Sequence, residues 1–252
     1  IPNEQGDWLS QRNDVFETFI ELASKGENKS VYFKLNSNGL VTNRDAWVYN
    51  SSKKLLHKNV SGMINFYNEQ LIEFNELLKS TPKLEVDKFI NTNPRNISWT
   101  RAVKNSLKAG HHRVFDNGNI VNGIYRPFCK QKLYFDRYFN ECVYQQPKIY
   151  PNPDQKNITI CVSGVGGNKQ NTTLITDVIP DLNCLDAGTQ CFPLYYYEER
   201  QKQSRGLFDE DGDSEFIRRD GVSDFILERA KAMYGKTVGK EDIFYYVYGF
   251  LH

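Results

Sequence analysis

The chain has 252 residues, 39% of them hydrophobic and 25% charged, with a formal net charge of +1. That length suffices for one large domain or two small ones, and the balance is that of an ordinary globular protein with an aromatic-rich core. A charge so near zero excludes bulk electrostatics as a basis for nucleic-acid binding, so any footprint must be a local basic face.

In chain order, residues 13–24 read as a short helix, with Asn13 as cap and Phe16, Phe19, Ile20 and Ala23 on one face. Val31-Tyr32-Phe33-Lys34-Leu35 and Ala46-Trp47-Val48-Tyr49 read as strands, joined through Asn36-Ser37-Asn38-Gly39. A long helix is expected over 54–79. There Ile64, Tyr67, Leu71, Phe74 and Leu78 form one apolar stripe, and Pro82 follows its end. Asn91-Thr92-Asn93-Pro94 then interrupts the chain. A sub-boundary near 92–97 would divide one region, 1–252, into a helical linking part (1–92) and a β-rich part with C-terminal helices (97–252). Ser98 is the expected cap of a helix running to about Ala109, with Trp99, Val103 and Leu107 on one face and Gly110 in the left-handed position behind it.

Between 112 and 197 short β-rich runs alternate with Asn-Gly, Gly-Gly and Pro-Asn punctuation. Residues 200–220 are charged and read as an exposed loop. Two helices close the chain, one over 224–234 between Ser223 and Gly235, the other from about Lys240. Helices flanking a mostly antiparallel β region at 112–197 make an α+β fold.

The chain starts at Ile1, not Met, and stops at Phe250-Leu251-His252 within an apolar helical run, so both ends read as cuts from a longer polypeptide. No stretch approaches the roughly 20 apolar residues that span a bilayer, and no membrane partner is expected. Cys129, Cys142, Cys161, Cys184 and Cys191 are odd in number and lack Cys-x-x-Cys spacing, which implies free thiols in a reducing cytoplasm. Asn-x-Ser/Thr triplets such as Asn157-Ile158-Thr159 are expected by chance in so Asn-rich a chain.

Three groups of polar residues are candidates for binding. Lys104, Lys108, His111, His112 and Arg113 gather around the end of the Ser98 helix, where they either neutralise phosphates or form a solvated face favoured by the helix dipole. Lys130, Lys132 and Arg137 punctuate an aromatic strand pair, as a basic ribbon for backbone contact or as the outer face of a half-buried hairpin. Gly164-Val165-Gly166-Gly167 follows an apolar run and precedes Asn168, Lys169 and Gln170. Its readings are a structural hairpin, a DNA-approaching turn whose amides suit purine edges, and, least, a cofactor loop, since another strand follows where a helix is needed. Arg126 before Pro127 is expected in a structural ion pair. Asp209, Asp211 and Asp213 alternate as in a calcium loop, but Ser214 stands at the glycine position and Asp220 where a bidentate Glu belongs.

One ordered series ties these segments together. It comprises Tyr125-Arg126-Pro127-Phe128, Leu133-Tyr134-Phe135-Asp136, Val143-Tyr144-Gln145-Gln146-Pro147, the run from Ile160 to Gly167, Ile175-Thr176-Asp177, Pro180-Asp181-Leu182 and Gln190-Cys191-Phe192-Pro193-Leu194-Tyr195. It resembles the C-terminal target-recognition region of Type ISP restriction–modification enzymes, single chains with nuclease, helicase-like ATPase, N6-adenine methyltransferase and DNA-specificity parts. Gly6-Asp7-Trp8-Leu9, Ile97-Ser98-Trp99-Thr100-Arg101, Gly221-Val222-Ser223-Asp224-Phe225 and the segment 241–249 extend the resemblance, which is weak over 26–92.

The resemblance implies double-stranded DNA as partner, along with the upstream methyltransferase and helicase parts. It implies a bacterial defence role in which the module presents an adenine for N6 methylation. Lys104, Lys108, His112, Arg113, Lys130, Lys132, Arg137, Asn168, Lys169 and Gln170 become the candidate DNA contacts. No catalytic residue, cofactor or metal is expected in this segment. Asn93-Pro94-Arg95 lacks the second proline and aromatic residue of an adenine methyltransferase motif, and no Walker lysine motif is present. S-adenosylmethionine, ATP and Mg are expected in the parent protein. Two alternatives stay open: a structural coupling domain between methyltransferase and helicase parts, and an enzyme using the Gly-rich loop 164–169.

Overall fold

The computed structural model describes residues 4, 13, 15–24, 26, 29–153, 155–164, 172–186, 188–200 and 215–252. Its elements, in chain order, are β1 (Ser37–Asn38), α1 (Asp45–Val48), β2 (Tyr49–Asn50), α2 (Lys53–Ser80), α3 (Val86–Phe89), α4 (Arg101–Lys108), β3 (Ile120–Arg126), β4 (Cys129–Tyr134), α5 (Gln146–Ile149), β5 (Thr159–Val162), β6 (Thr173–Thr176), β7 (Ile179–Pro180), β8 (Gln190–Pro193), β9 (Tyr195–Glu199), β10 (Phe216–Asp220), α6 (Asp224–Tyr234) and α7 (Lys240–Leu251). The class is α+β, as expected.

One sheet has the order β2-β4-β3-β7, a second β1-β8-β5-β6, and β9 and β10 form a ribbon. Every named pairing is antiparallel except β3 with β7. The first sheet packs against α2 and α4. Leu56, Val60, Met63, Ile64, Tyr67, Leu71 and Phe74 of α2 are buried there with Val103, Leu107, Leu133 and Tyr134. Ile90 and Ile97 join the same core. The second sheet packs against α6 and α7, with Phe33, Ile160, Phe192, Ile226, Ile243, Phe244 and Val247 at the centre.

The long helix forms as its stripe requires. Ser52 Oγ accepts from Leu55 N at 3.3 Å and starts it. Ser223 Oγ accepts from Ile226 N at 3.2 Å and starts α6, which stops at Gly235 with φ +107°.

Five expectations are corrected. Residues 13–24 do not form a helix. Among the described residues of this stretch only a 3₁₀ turn at Phe16–Thr18 appears, and the chain then extends so that Glu21 O and Leu22 O accept from Tyr32 N and Phe33 N. The extended run 31–35 is held by that pairing and by a single bridge, Phe33 to Val222, rather than by a sheet. Ala46-Trp47-Val48 is helical because Asp45 closes the turn, accepting from Thr42 Oγ1 with one oxygen and from Tyr125 OH at 2.9 Å with the other. The expected loop 200–220 contains β10, which pairs with β9 from Phe216–Glu199 to Asp220–Tyr195.

The Ser98 helix begins two residues late, at Arg101. Ser98 Oγ donates to Asn43 O at 3.1 Å, and the Thr100 hydroxyl accepts from Arg44 NH2 at 2.8 Å, so neither caps the helix. Gly110 takes φ +76° behind α4. All five cysteines are free, with Cys161, Cys184 and Cys191 buried. Among the described residues no helix is long and apolar enough to cross a membrane.

Candidate nucleic-acid interface

The β3–β4 hairpin carries the first candidate group. Antiparallel register sets Asn122 opposite Lys132 and Ile124 opposite Lys130, so Asn122, Lys130 and Lys132 share a face. Lys132 Nζ donates to Asn122 Oδ1 at 2.7 Å. Lys130 pairs with Asp177 at 2.6 Å, and that hydrogen bond holds the Asp177 carboxyl below its ordinary value. Beside this face lies a cleft of about 450 Å³, lined among others by Asn119, Asn122, Lys132, Asn152, Gln155 and Asp177. Amides and an ammonium are the groups that pair with purine edges and phosphates.

The hairpin ends in Arg126-Pro127-Phe128-Cys129. Its root is fixed by Arg126, which donates to Asp181 Oδ1 at 2.9 Å and lies over the Tyr125 ring at 3.9 Å. The ion pair expected from the sequence is therefore present. Asp181 is only 5% exposed on its side chain. Burial pushes its carboxyl above the usual value, against the opposite pull of Arg126 and the Asn183 amide. Tyr49 OH also donates to it at 3.4 Å, and burial plus the neighbouring carboxylates drive that phenol well above its usual range.

The second group surrounds α4. Lys104 reaches Asp87 at 2.5 Å, whereas Lys108, His111 and His112 are exposed. Arg113 is built into the scaffold. Its guanidinium stands 3.5 Å over the Tyr138 ring and donates to Ser106 Oγ, while its backbone is clasped by both ends of the Asn68 amide. That stacking brings Arg113 beside the segment that carries the exposed Arg137. Lys132 lines the cleft, and Lys130 is paired with Asp177, which also lines it. Behind it Arg44 is buried, and burial lowers its pKa to about 10 despite Glu141 and Asp136.

The Gly-rich segment connects β5 to β6. These strands pair antiparallel from Thr159–Thr176 to Val162–Thr173, and Ser163 N donates to Thr172 O at 3.0 Å. Asn168, Lys169 and Gln170 lie outside the described residues, as do Asp209, Asp211 and Asp213.

Sequence reasoning missed the lining of the cleft by Asn119, Asn122, Asn152 and Gln155. Only Asn122 had a legible signal, its place opposite Lys132 in a hairpin. Asn152 and Gln155 reach the site through the connection after α5, which no periodicity encodes.

An α+β domain with two helix-backed sheets and an amide- and lysine-lined cleft is the class that the geometry defines. The model of the Type ISP C-terminal specificity domain matches residues 31–252, and the chain belongs to that family. No match was found among curated proteins. Among solved structures, the chain is similar to the ATP-dependent Type ISP restriction-modification enzyme LlaBIII bound to DNA. The identity is 31% and the TM-score 0.80, with 100% of this chain and 15% of that one covered. A nuclease-deletion mutant of the Type ISP enzyme LlaGI, in complex with a DNA substrate mimic, is 29% identical at TM-score 0.78, covering 100% and 21%. The DrdV–DNA complex is 29% identical at TM-score 0.80, covering 100% and 23%. The chain thus spans less than a quarter of the length of these solved relatives.

Proposed function

We propose that this chain reads a target sequence in double-stranded DNA for a larger restriction–modification polypeptide of the cytoplasm. The observation that carries this reading is the similarity of the whole chain to enzymes solved with DNA. In this reading Lys and Arg side chains hold phosphates and amides read base edges. The domain presents one adenine to a methyltransferase part elsewhere in the polypeptide, where S-adenosylmethionine supplies the methyl group; ATP and Mg serve the motor part.

The proposed phosphate contacts divide by their partners. Lys108, Lys132, Arg137 and His112 have no aspartate to surrender, so they contribute most. Lys104 and Lys130 must exchange Asp87 and Asp177 for a phosphate. Arg113 acts mainly as a scaffold for Tyr138. Asn168, Lys169 and Gln170 remain proposed base readers, as do the amides that line the cleft.

The test is equilibrium binding of the full-length polypeptide to target and scrambled duplexes across a salt series. Specific binding that weakens with salt is expected. Equal affinity for both duplexes overturns the reading.

A second reading, coupling to the rest of the polypeptide, is favoured by one observation. Met233, Tyr234, Tyr246 and Phe250 of α6 and α7 are largely exposed, next to an apolar groove of about 460 Å³ lined by Ile20, Tyr32, Ile226, Val238 and Ile243. Exposed apolar surface of this kind marks a contact face. Met233→Ser with Phe250→Ser should loosen the domain from the methyltransferase part in limited proteolysis. Unchanged protection removes the reading.

A further inference from the structure

We propose that Phe128 is a wedge that stacks on a base of the bound duplex, an inference that rests on the chain's reading as a DNA-recognition domain. Phe128 sits at the tip of the β3–β4 hairpin, 88% exposed, with φ +60°. The left-handed region crowds Cβ against the neighbouring carbonyl, so a bulky L residue is an outlier there. Glycine or asparagine would make the same turn with less strain. An unfavourable backbone and an unburied aromatic ring thus coincide at Phe128, which is twice as exposed (88%) as Tyr144 (44%), the other aromatic residue with positive φ among the described residues. Such outliers persist where the surroundings over-determine them, and they gather at ligand clamps.

The mount is rigid. Arg126 is locked to Asp181 at 2.9 Å and stacked on Tyr125 at 3.9 Å. Tyr125 OH donates to Asp45 at 2.9 Å, Asp181 N donates to Ile124 O at 3.0 Å, and Pro127 restricts its own φ. The other rings of the hairpin have partners: Tyr125 lies 4.9 Å from Tyr49, and Tyr134 stacks on Phe115 at 5.5 Å. Phe128 is the ring this frame holds outward.

Its neighbours point to nucleic acid as the occupant. Lys130, Lys132 and Asn122 share one face of the same hairpin, and the amide-lined cleft lies beside them. The apolar groove that would suit a protein partner lies elsewhere, at α6 and α7, where Met233, Tyr234 and Tyr246 line it. A base step is a flat apolar surface behind a phosphate rail. A ring on a stiff tip flanked by ammonium and amide groups fits it by insertion or stacking.

The experiment uses the full-length polypeptide with Phe128→Gly, Phe128→Asn and Phe128→Trp, and duplexes carrying 2-aminopurine at successive positions. Phe128→Gly and Phe128→Asn are expected to keep or raise the melting temperature, because strain is relieved. They are expected to lose about tenfold or more in duplex affinity, the scale of one base–aromatic stack. The wild type and Phe128→Trp should change 2-aminopurine fluorescence at one position, and the other two variants should not. A mismatch at that step should restore part of their affinity, since unstacking is already done. A lowered melting temperature with unchanged affinity assigns Phe128 to a protein contact and overturns the wedge. So does a loss of affinity with no 2-aminopurine response at any position. Specific wild-type binding that all three variants share overturns the wedge alone; absence of specific wild-type binding overturns the recognition reading and the wedge with it.

Discussion

The buried Asp181 carboxylate organises the hairpin root, because Arg126, Tyr49 and the Asn183 amide converge on it. A carboxylate this buried costs stability unless it is paired. Arg126→Ala removes its one ion-pair partner among the described residues and should lower stability by about 2 kcal/mol at neutral pH. The pH dependence has a definite sign. Burial raises the folded-state pKa of Asp181, so the cost of its unpaired charge is present above that value and disappears as pH falls through it. Denaturant unfolding of the variant from pH 7 to pH 4 should therefore show the deficit shrinking. A constant deficit would mean that the loss comes from the stack on Tyr125 instead.

Elements follow their local signals where those signals are redundant. The α2 stripe repeats over many turns, and Ser223 and Gly235 bracket α6 with a cap and a positive-φ stop. Short elements are decided by contacts. Asp45 turns Ala46-Trp47-Val48 into a helix through Thr42 and Tyr125, a partner eighty positions away. Two predictions belong at this scale. Gly39 lies against the backbone of Asp181, where an added Cβ would come within 2.4 Å of its carbonyl oxygen. Gly39→Ala should therefore separate these segments and cost about 1–3 kcal/mol, measured by thermal unfolding. The second concerns the start of α6. Lys240 and Lys34 hydrogen-bond Asp224 and bring its pKa down to about 2. A carboxyl depressed in the folded state stabilises above its unfolded value of 3.8 and loses that contribution as pH falls through about 2. Asp224→Asn should cost about 1 kcal/mol or less at pH 7, because the group is well exposed. Its deficit should shrink progressively below pH 4, and a deficit at pH 2.5 as large as that at pH 7 would contradict the lysine origin.

The molecule joins two helix-backed sheets with a net charge of +1. Much of its candidate basic surface is already compensated, Lys104 by Asp87 and Lys130 by Asp177. DNA association should thus depend on a few unpaired cations. The triple variant Lys108→Ala/Lys132→Ala/Arg137→Ala should reduce the log–log salt slope by about 0.9 per lost contact. Lys104→Ala should reduce it less, because it also frees Asp87. Slopes measured by fluorescence anisotropy that do not change would remove these side chains from the interface.

By itself the sequence determined the α+β class, the long α2, both C-terminal helices, the Arg126 ion pair and the family. Each rests on information local to a segment or on an ordered set of motifs: apolar periodicity, cap and stop residues, a charged residue beside a proline. Tertiary structure alone decided that residues 37–38 and 49–50 become edge strands of two different sheets, and that 216–220 pairs with β9. It alone brought Asn119 and Asn122 to one cleft with Asn152 and Gln155. These features depend on backbone partners and side chains far away in the chain. Two-residue strands and irregular connections carry no periodicity, so only the packing of the sheets against their helices selects them.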